Sequence, residues 1–449
     1  MKFTETQIQT LAPDEASLKA GKSLSGKTNW LVSQYNDRAV WGEIKGSGSK
    51  PYLTQIDINN IAFKCSCPSR KFPCKHGLGL MLLWTNDTTA VTQNEEEPAW
   101  VADWMNKRIA KEEKVNEVKE YTEEEIAKLE KTKLKRTEDR TLAVENGVAE
   151  LKLVLKDIIR TGILNLPQKD DAFFDKIAAR MIDAKASGLA GWVKKLGAIN
   201  YNQNGIAWQT EALEIMGKMY LLTEAFRNIN NLSEQWQTSI KNLIGWSQAP
   251  KELLQNDSAE IVKDVWLVIG QETTTTDDGI TIQRNWLVGT HTNETALILN
   301  FGTRFAPMDI SVIPGTIIEA ALVFFPAIVK QRAVIKLQKG IVNNLPQMHT
   351  LLPNITALFE YKHSVIVKYP YATDIVVCLK NIRIGQHKEA FIAIDEDGFF
   401  TPLSDDFSFE KQLNWLAITS GNYFALTAVI REEKLFPLGI FKNEQYILI

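Results

Sequence analysis

Three of the four cysteines in this chain fall within ten residues, in the stretch KCSCPSRKFPCKH at 64–76. The spacing is Cys65-x-Cys67, six residues, then Cys74-x-His76, so four soft or borderline donors lie within twelve residues. Zinc takes four thiolate or imidazole ligands at the corners of a tetrahedron. A Cys-x-Cys at a strand end supplies two of them from one knuckle, and Cys74 and His76 supply two more from the start of a helix. The positive end of that helix also favours the thiolate form of Cys74. A disulfide would leave one cysteine of the cluster odd and would need an oxidising compartment. A thioredoxin-type pair wants two residues between its cysteines, and an iron–sulfur cluster wants four cysteines. The expected cofactor is therefore one zinc ion. Four protein ligands leave no open position, so the ion is structural, and it ties strand to helix in a module expected to be too small for a core of its own.

At 449 residues the chain exceeds a single ordinary core, and its 45% hydrophobic content fits a globular protein. Residues 1–16 read as a polar lead-in. Between Trp30 and Cys67, NWLVSQY, AVWGEIKG, PYLTQIDI and IAFKCSC are β-rich pieces separated by turn residues. After Pro73, the residues Leu78, Met81, Leu82 and Trp84 fall at helical spacing. Residues 1–87 thus form a β-rich module with the finger at about 52–84. Residues 85–98 read as a linker, and 88–140 as a charged linker or solvated helix. From 141 to 260 the pattern is helical: Val144, Val148, Leu151, Leu155 and Ile158 step by four and three and draw one apolar stripe. Residues 261–449 hold short β-branched runs, among them DVWLVIGQE, RAVIKLQ, HSVIVKY and DIVVCLK, with turn residues such as Asp278-Gly279 and Asp397-Gly398 between them. One or two helices are expected near SFEKQLNWLAI. The fold class is α+β multidomain: a β-rich finger module, a central helical domain and a C-terminal, mostly antiparallel β-rich domain.

Net charge is −3, but residues 17–84 carry ten basic side chains against Asp37, Glu43 and Asp57. Lys64, Arg70, Lys71 and Lys75 lie in or beside the knuckle, and Lys45 and Lys50 flank a Gly-Ser-Gly turn. Clustered cations of this kind neutralise phosphates and release counterions. Phe63, Phe72 and Trp84 are expected to fill the finger's core. The stretch GKSLSGKT, residues 21–28, matches the P-loop spacing, but no buried strand precedes it and strands follow it, so the match is read as accidental. Lys22 and Lys27 then add to the basic face. Cys378, in DIVVCLK, reads as a buried core thiol. Asp395–Gly398 reads as a hairpin turn, and Asp405-Asp406 as a cap for the helix after it. No nucleophile elbow or zinc-protease motif is present, and His291, His349, His363 and His387 are scattered. The start, MKFTETQIQT, lacks the pattern of a secretion signal, and IIEAALVFFPAIV is too short and too interrupted to span a bilayer. The expected compartment is the cytoplasm.

The Cys-x-Cys…Cys-x-His arrangement resembles the SWIM zinc finger, and WGEIKGSGSKPY followed by CSCPSRKFPCKHGLGL is similar to bacterial SWIM zinc finger family proteins. The resemblance covers roughly residues 15–85. It implies Cys65, Cys67, Cys74 and His76 as zinc ligands, and a ββα-type module that binds DNA or proteins. Some bacterial members resemble companions of MoxR-type AAA ATPases and von Willebrand A-domain proteins. The expected function is that of a non-enzymatic zinc-binding protein whose finger holds a nucleic acid, DNA first, or a protein partner through its basic face. The alternative is a protein–protein adaptor working with such an ATPase and A-domain protein.

Overall fold

The computed structural model describes residues 3–46, 48–69, 71–115, 123–202, 207–246, 248–256, 259–276, 279–303, 308, 310–342 and 351–449, with the backbone only at 111–115, 123–130 and 133. Two short helices open the chain, α1 (Glu5–Gln9) and α2 (Glu15–Ser23), started by the side chains of Thr4 and Asp14. An antiparallel meander follows: β1 (Trp30–Tyr35), β2 (Ala39–Ile44), β3 (Tyr52–Asp57) and β4 (Ala62–Cys65). Helix α3 (Lys75–Asn86) comes next, then β5 (Thr92–Gln93), which lies parallel beside β1 and completes the sheet order β4-β3-β2-β1-β5.

Alternation along β2 sends Val40 to one face of this sheet and Ala39 and Trp41 to the other. Val40 meets α3, whose residues His76 through Trp84 are all buried, with α1 and α2 packed over that helix. Ala39 and Trp41 meet Val101 and Met105 of α4 (Ala99–Val115). Arg108 of α4 donates to Asp57 at 3.1 Å, and Arg38 makes a two-pronged ion pair with Glu97. The stretch expected to be a linker is therefore fastened to the sheet: β5 pairs with β1, and Ala90 and Val91 are buried. Its apolar anchors are too few and too widely spaced to register as a period. The polar lead-in is likewise part of the core, since Phe3, Ile8 and Leu11 are buried. The module is not coreless either, and Ile310 and Ile313 from the C-terminal half are buried in the same cluster.

The central region is helical: α5 (Glu123–Thr161), α6 (Asp171–Asp183), α7 (Ser187–Gly197), α8 (Ala207–Arg227), α9 (Glu234–Ile244) and the single turn α10 (Pro250–Leu254). The stripe from Val144 to Ile158 is buried along its whole length against α6 and α8. Helix α5 starts well before the expected boundary at 141, and residues 134–139 of this earlier part are exposed.

The C-terminal half begins with β6 (Ile261–Thr275), β7 (Thr281–Gly289), β8 (Thr295–Gly302), β9 (Ile317–Phe324) and β10 (Arg332–Val342). They close a barrel in the order β10-β8-β7-β6-β9, antiparallel except where β10 meets β8. Helix α11 (Ile355–Lys368) leads to β11 (Ile375–His387), β12 (Ala390–Ile394), β13 (Phe400–Pro402), α12 (Phe409–Thr419), β14 (Phe424–Arg431), β15 (Lys434–Lys442) and β16 (Gln445–Leu448). These strands form a six-stranded sheet, β13-β12-β11-β14-β15-β16. HSVIVKY, expected as a strand, lies in α11. The Asn354 side chain caps that helix, and Ile355, Leu358 and Val365 share its buried face. Ser408 caps α12, not Asp405 or Asp406, which pair with Lys434 and Arg431.

Arg431 joins the barrel to the sheet. It donates to both carboxylate oxygens of Glu272 at 2.9 and 2.7 Å and to Asp374 at 2.7 Å. The helical region is attached through Tyr371, whose hydroxyl donates to the Lys218 carbonyl at 2.9 Å, and through Ser239, which accepts from the Ile328 amide at 3.0 Å. No helix among the described residues is long and apolar enough to cross a membrane.

Candidate metal centre

Strand pairing delivers the first two ligands. Thr54 faces Cys65 in the β3–β4 register, and the ladder runs one step further: the Ser66 amide donates to the Leu53 carbonyl and the Ser66 hydroxyl accepts from the Leu53 amide, both at 2.9 Å. Cys67 sits just beyond that clamp. Cys74 is the N-cap residue of α3, and His76 lies in its first turn.

The ligand atoms of Cys65, Cys67, Cys74 and His76 lie within 4.8 Å of one another. His76 Nδ1 is 3.7 Å from Cys65 Sγ and 4.0 Å from Cys74 Sγ. Zinc–ligand bonds of about 2.0–2.3 Å at tetrahedral angles give ligand–ligand edges of roughly 3.5–3.8 Å, so the donor set fits zinc and the two His76 edges lie close to that value. Without metal the thiols share protons. Hydrogen bonds from the Cys74 thiol and His76, with the Thr54 hydroxyl 3.2 Å away, hold Cys65 well below the ordinary thiol value. The same Cys65 contact, together with burial, pushes Cys74 up, and burial pushes Cys67 up. A bound zinc removes the thiol protons and takes their place. The ion is structural, because four protein ligands fill a tetrahedron.

Beside the knuckle lies a cavity of about 500 Å³. Ala16, Ser17 and Ala20 of α2 wall one side, and Cys67, Ser69 and His76 the other. Lys45, Lys71 and Lys75 all line it. Of the expected contact residues these three converge, while Lys50 and Lys64 are exposed outside the cavity and Arg70 lies outside the described residues. Lys71 also pairs with Asp14 at 2.7 Å.

The basic excess read from residues 17–84 is smaller in space than in sequence. Lys22 pairs with Glu5 and Arg38 with Glu97, acids that lie outside that window. Lys27 is turned inward: its ammonium donates to the Ser33 hydroxyl at 2.8 Å and to the Ala90 carbonyl at 2.5 Å, so it does not add to the basic face. The P-loop spacing is inverted in the fold, with a helix before the loop and a strand after it. Phe63 and Phe72 meet edge to face, and Trp84 packs between Phe3 and Tyr35, all as core residues. Cys378 is buried in the sheet, and burial pushes its thiol up to about 12. Reading the sequence missed the α2 wall and the Thr54 contact to Cys65. The β3–β4 pairing could have indicated the latter, since it sets Thr54 opposite the first ligand.

A knuckle of three cysteines and a histidine, set between a strand end and a helix start and followed by a helical bundle, defines a zinc-finger protein with a structural metal. Residues 52–84 match the family model of the SWIM zinc finger, and residues 139–244 match that of the SWIM-associated four-helix bundle domain. The chain thus carries a SWIM-type zinc finger and the helical bundle domain associated with it. No significant match to a curated protein or to a solved structure was found.

Proposed function

We propose that this chain is a non-enzymatic binding protein of the cytoplasm whose zinc-tied module holds a nucleic acid. The observation that carries this reading is the convergence of Lys45, Lys71 and Lys75 on one cavity against the knuckle. Ammonium groups gathered in a concavity neutralise phosphates and release their counterions, which gives salt-sensitive binding. Zinc supports the reading indirectly, by fixing the loop that carries Lys71 and the helix start that carries Lys75. The test is a gel shift of the intact protein with DNA and RNA, with and without chelator, at rising salt. Binding that weakens with both is expected, and the absence of salt-dependent binding to either polymer sinks the proposal.

A second reading, a protein–protein adaptor, rests on Leu142, Leu153, Leu213 and Leu221. These lie on α5 and α8 of the bundle and are 48–63% exposed. A MoxR-type AAA ATPase is the partner to try. Capture of that ATPase that survives nuclease and is lost in Leu153→Glu would favour this reading.

A further inference from the structure

Reading a duplex requires an element that enters a groove. The major groove, about 12 Å wide, admits an α-helix or a two-stranded ribbon. Helix α3 follows the knuckle, in the place where a recognition helix would be expected, yet nine consecutive residues of it, His76 to Trp84, are buried. It runs between the sheet and α2, and of its first turn only Lys75 is exposed. Recognition helices enter a groove by their N-terminal residues. The N-terminus of α2 carries Asp14 and Glu15, which phosphates repel. The sheet is covered on one face by α3 and on the other by α4.

Among the described residues, Lys45, Lys71 and Lys75 are the expected contact cations that converge on one concave site, of about 500 Å³. That volume lies within the range of small-ligand pockets, about 300–1,000 Å³. One unpaired nucleotide with its phosphate matches that volume, whereas a base held in a duplex cannot enter it without leaving the stack. The charge agrees with such a guest. Lys45 and Lys75 have no carboxylate partner among the described residues, Lys71 is offset by Asp14, and three thiolates around zinc leave about one net negative charge behind the wall. The balance is a small positive excess, suited to a phosphodiester. Tyr52 packs against Gly46 and His76, so its ring shapes the wall.

We infer that the module recognises single-stranded nucleic acid, seating one unpaired nucleotide in the lysine-lined cavity between α2 and the knuckle, and does not read duplex. This inference rests on the nucleic-acid reading above, and one experiment separates the two. Zinc-loaded full-length protein is titrated with three fluorescent probes of equal length: an oligothymidine, an oligouridine and a blunt DNA hairpin. The single strands bind at least tenfold more tightly than the hairpin, with a log–log salt slope of roughly −0.7 to −1.4, that of the one or two phosphates flanking the seated nucleotide. The double variant Lys45→Ala/Lys75→Ala loses at least tenfold on the single strands, Lys50→Ala/Lys64→Ala much less, and both retain zinc. A hairpin bound as tightly as the single strands, or equal losses in the two double variants, overturns the inference while leaving nucleic-acid binding in place. No binding to any probe removes the reading and the inference together.

Discussion

Gly21 and Gly79 sit where α2 crosses α3, and neither has room for a side chain. A Cβ on Gly79 would lie 2.8 Å from Leu24 Cβ and 3.2 Å from the Gly21 carbonyl oxygen, and one on Gly21 would lie 2.8 Å from Leu78 Cβ. This contact holds α2 down as the wall of the lysine-lined cavity. Gly79→Ala should therefore force the helices apart and destabilise the module by about 1–3 kcal/mol. Urea unfolding read by tryptophan fluorescence would show it, and a midpoint equal to that of the parent would refute it.

Metal removal should be local. Cys74→Ser takes away a ligand and returns burial-disfavoured thiols to the knuckle. Metal analysis is expected to give about one zinc per parent chain and a small fraction of that in the variant. The far-UV circular dichroism of the helical bundle should survive, because the bundle's core is built from residues other than those lining the knuckle's cavity.

Arg431 is the ion-pair hub between barrel and sheet, and it lies 4.7 Å over the Phe436 ring. Arg431→Met keeps the packing but takes the ion-pair partner from Asp374 and leaves Glu272 only the longer contact to Arg284 at 3.9 Å, with both carboxylates mostly buried. A loss of about 3 kcal/mol is expected, and Arg431→Lys should recover only part of it, since a lysine lacks the planar fork. Thermal unfolding of the three proteins side by side is the measurement.

Acid should act through Asp264, whose side chain is buried in the β7–β8 turn region. Burial alone would raise its carboxyl, but hydrogen bonds from the Thr292 hydroxyl and amide, His291 and the Val265 amide outweigh that and hold it below the ordinary value. The unfolded chain therefore takes up this proton first. The stabilisation is complete above the ordinary carboxylate value and fades as pH falls through the lower folded one. Asp264→Asn should cost about 2 kcal/mol at pH 7 and progressively less as the pH drops below 4. A difference between parent and variant that does not change with pH would contradict this.

Lys27 separates a structural lysine from a nucleotide-binding one. Its ammonium bonds Ser33 and the Ala90 carbonyl, and so pins β1 to the turn before β5. Lys27→Ala should lower stability by about 1 kcal/mol, and the parent should retain no ATP in equilibrium dialysis. Retained ATP that disappears in Lys27→Ala would reverse the assignment.

The metal site was legible in the sequence because its four donors lie within twelve residues, and local spacing encodes local geometry. The strands from Trp30 to Cys65 and the bundle stripe from Val144 were legible for the same reason: each has a short-range period. Hidden were the contacts between distant segments. Glu97 neutralises Arg38 across 59 residues, so a charge count over a window overstated the free cations. The inward turn of Lys27 depends on a carbonyl 63 residues away. HSVIVKY misled because β-branched residues suggest a strand locally, and the cap at Asn354 and the buried face of α11 overrode that preference.

Ile310 and Ile313, from the segment between β8 and β9, are buried in the finger module's core, and Gln7 of α1 lies against Gly315. The two ends of the chain thus make one body, and the bundle between them is an inserted excursion. Excising residues 1–87 would uncover a greasy scar on each fragment. Shortening the chain across the bundle would leave that joint intact but would bare Tyr369 and Tyr371, which pack on Trp236 and Trp192 of the bundle.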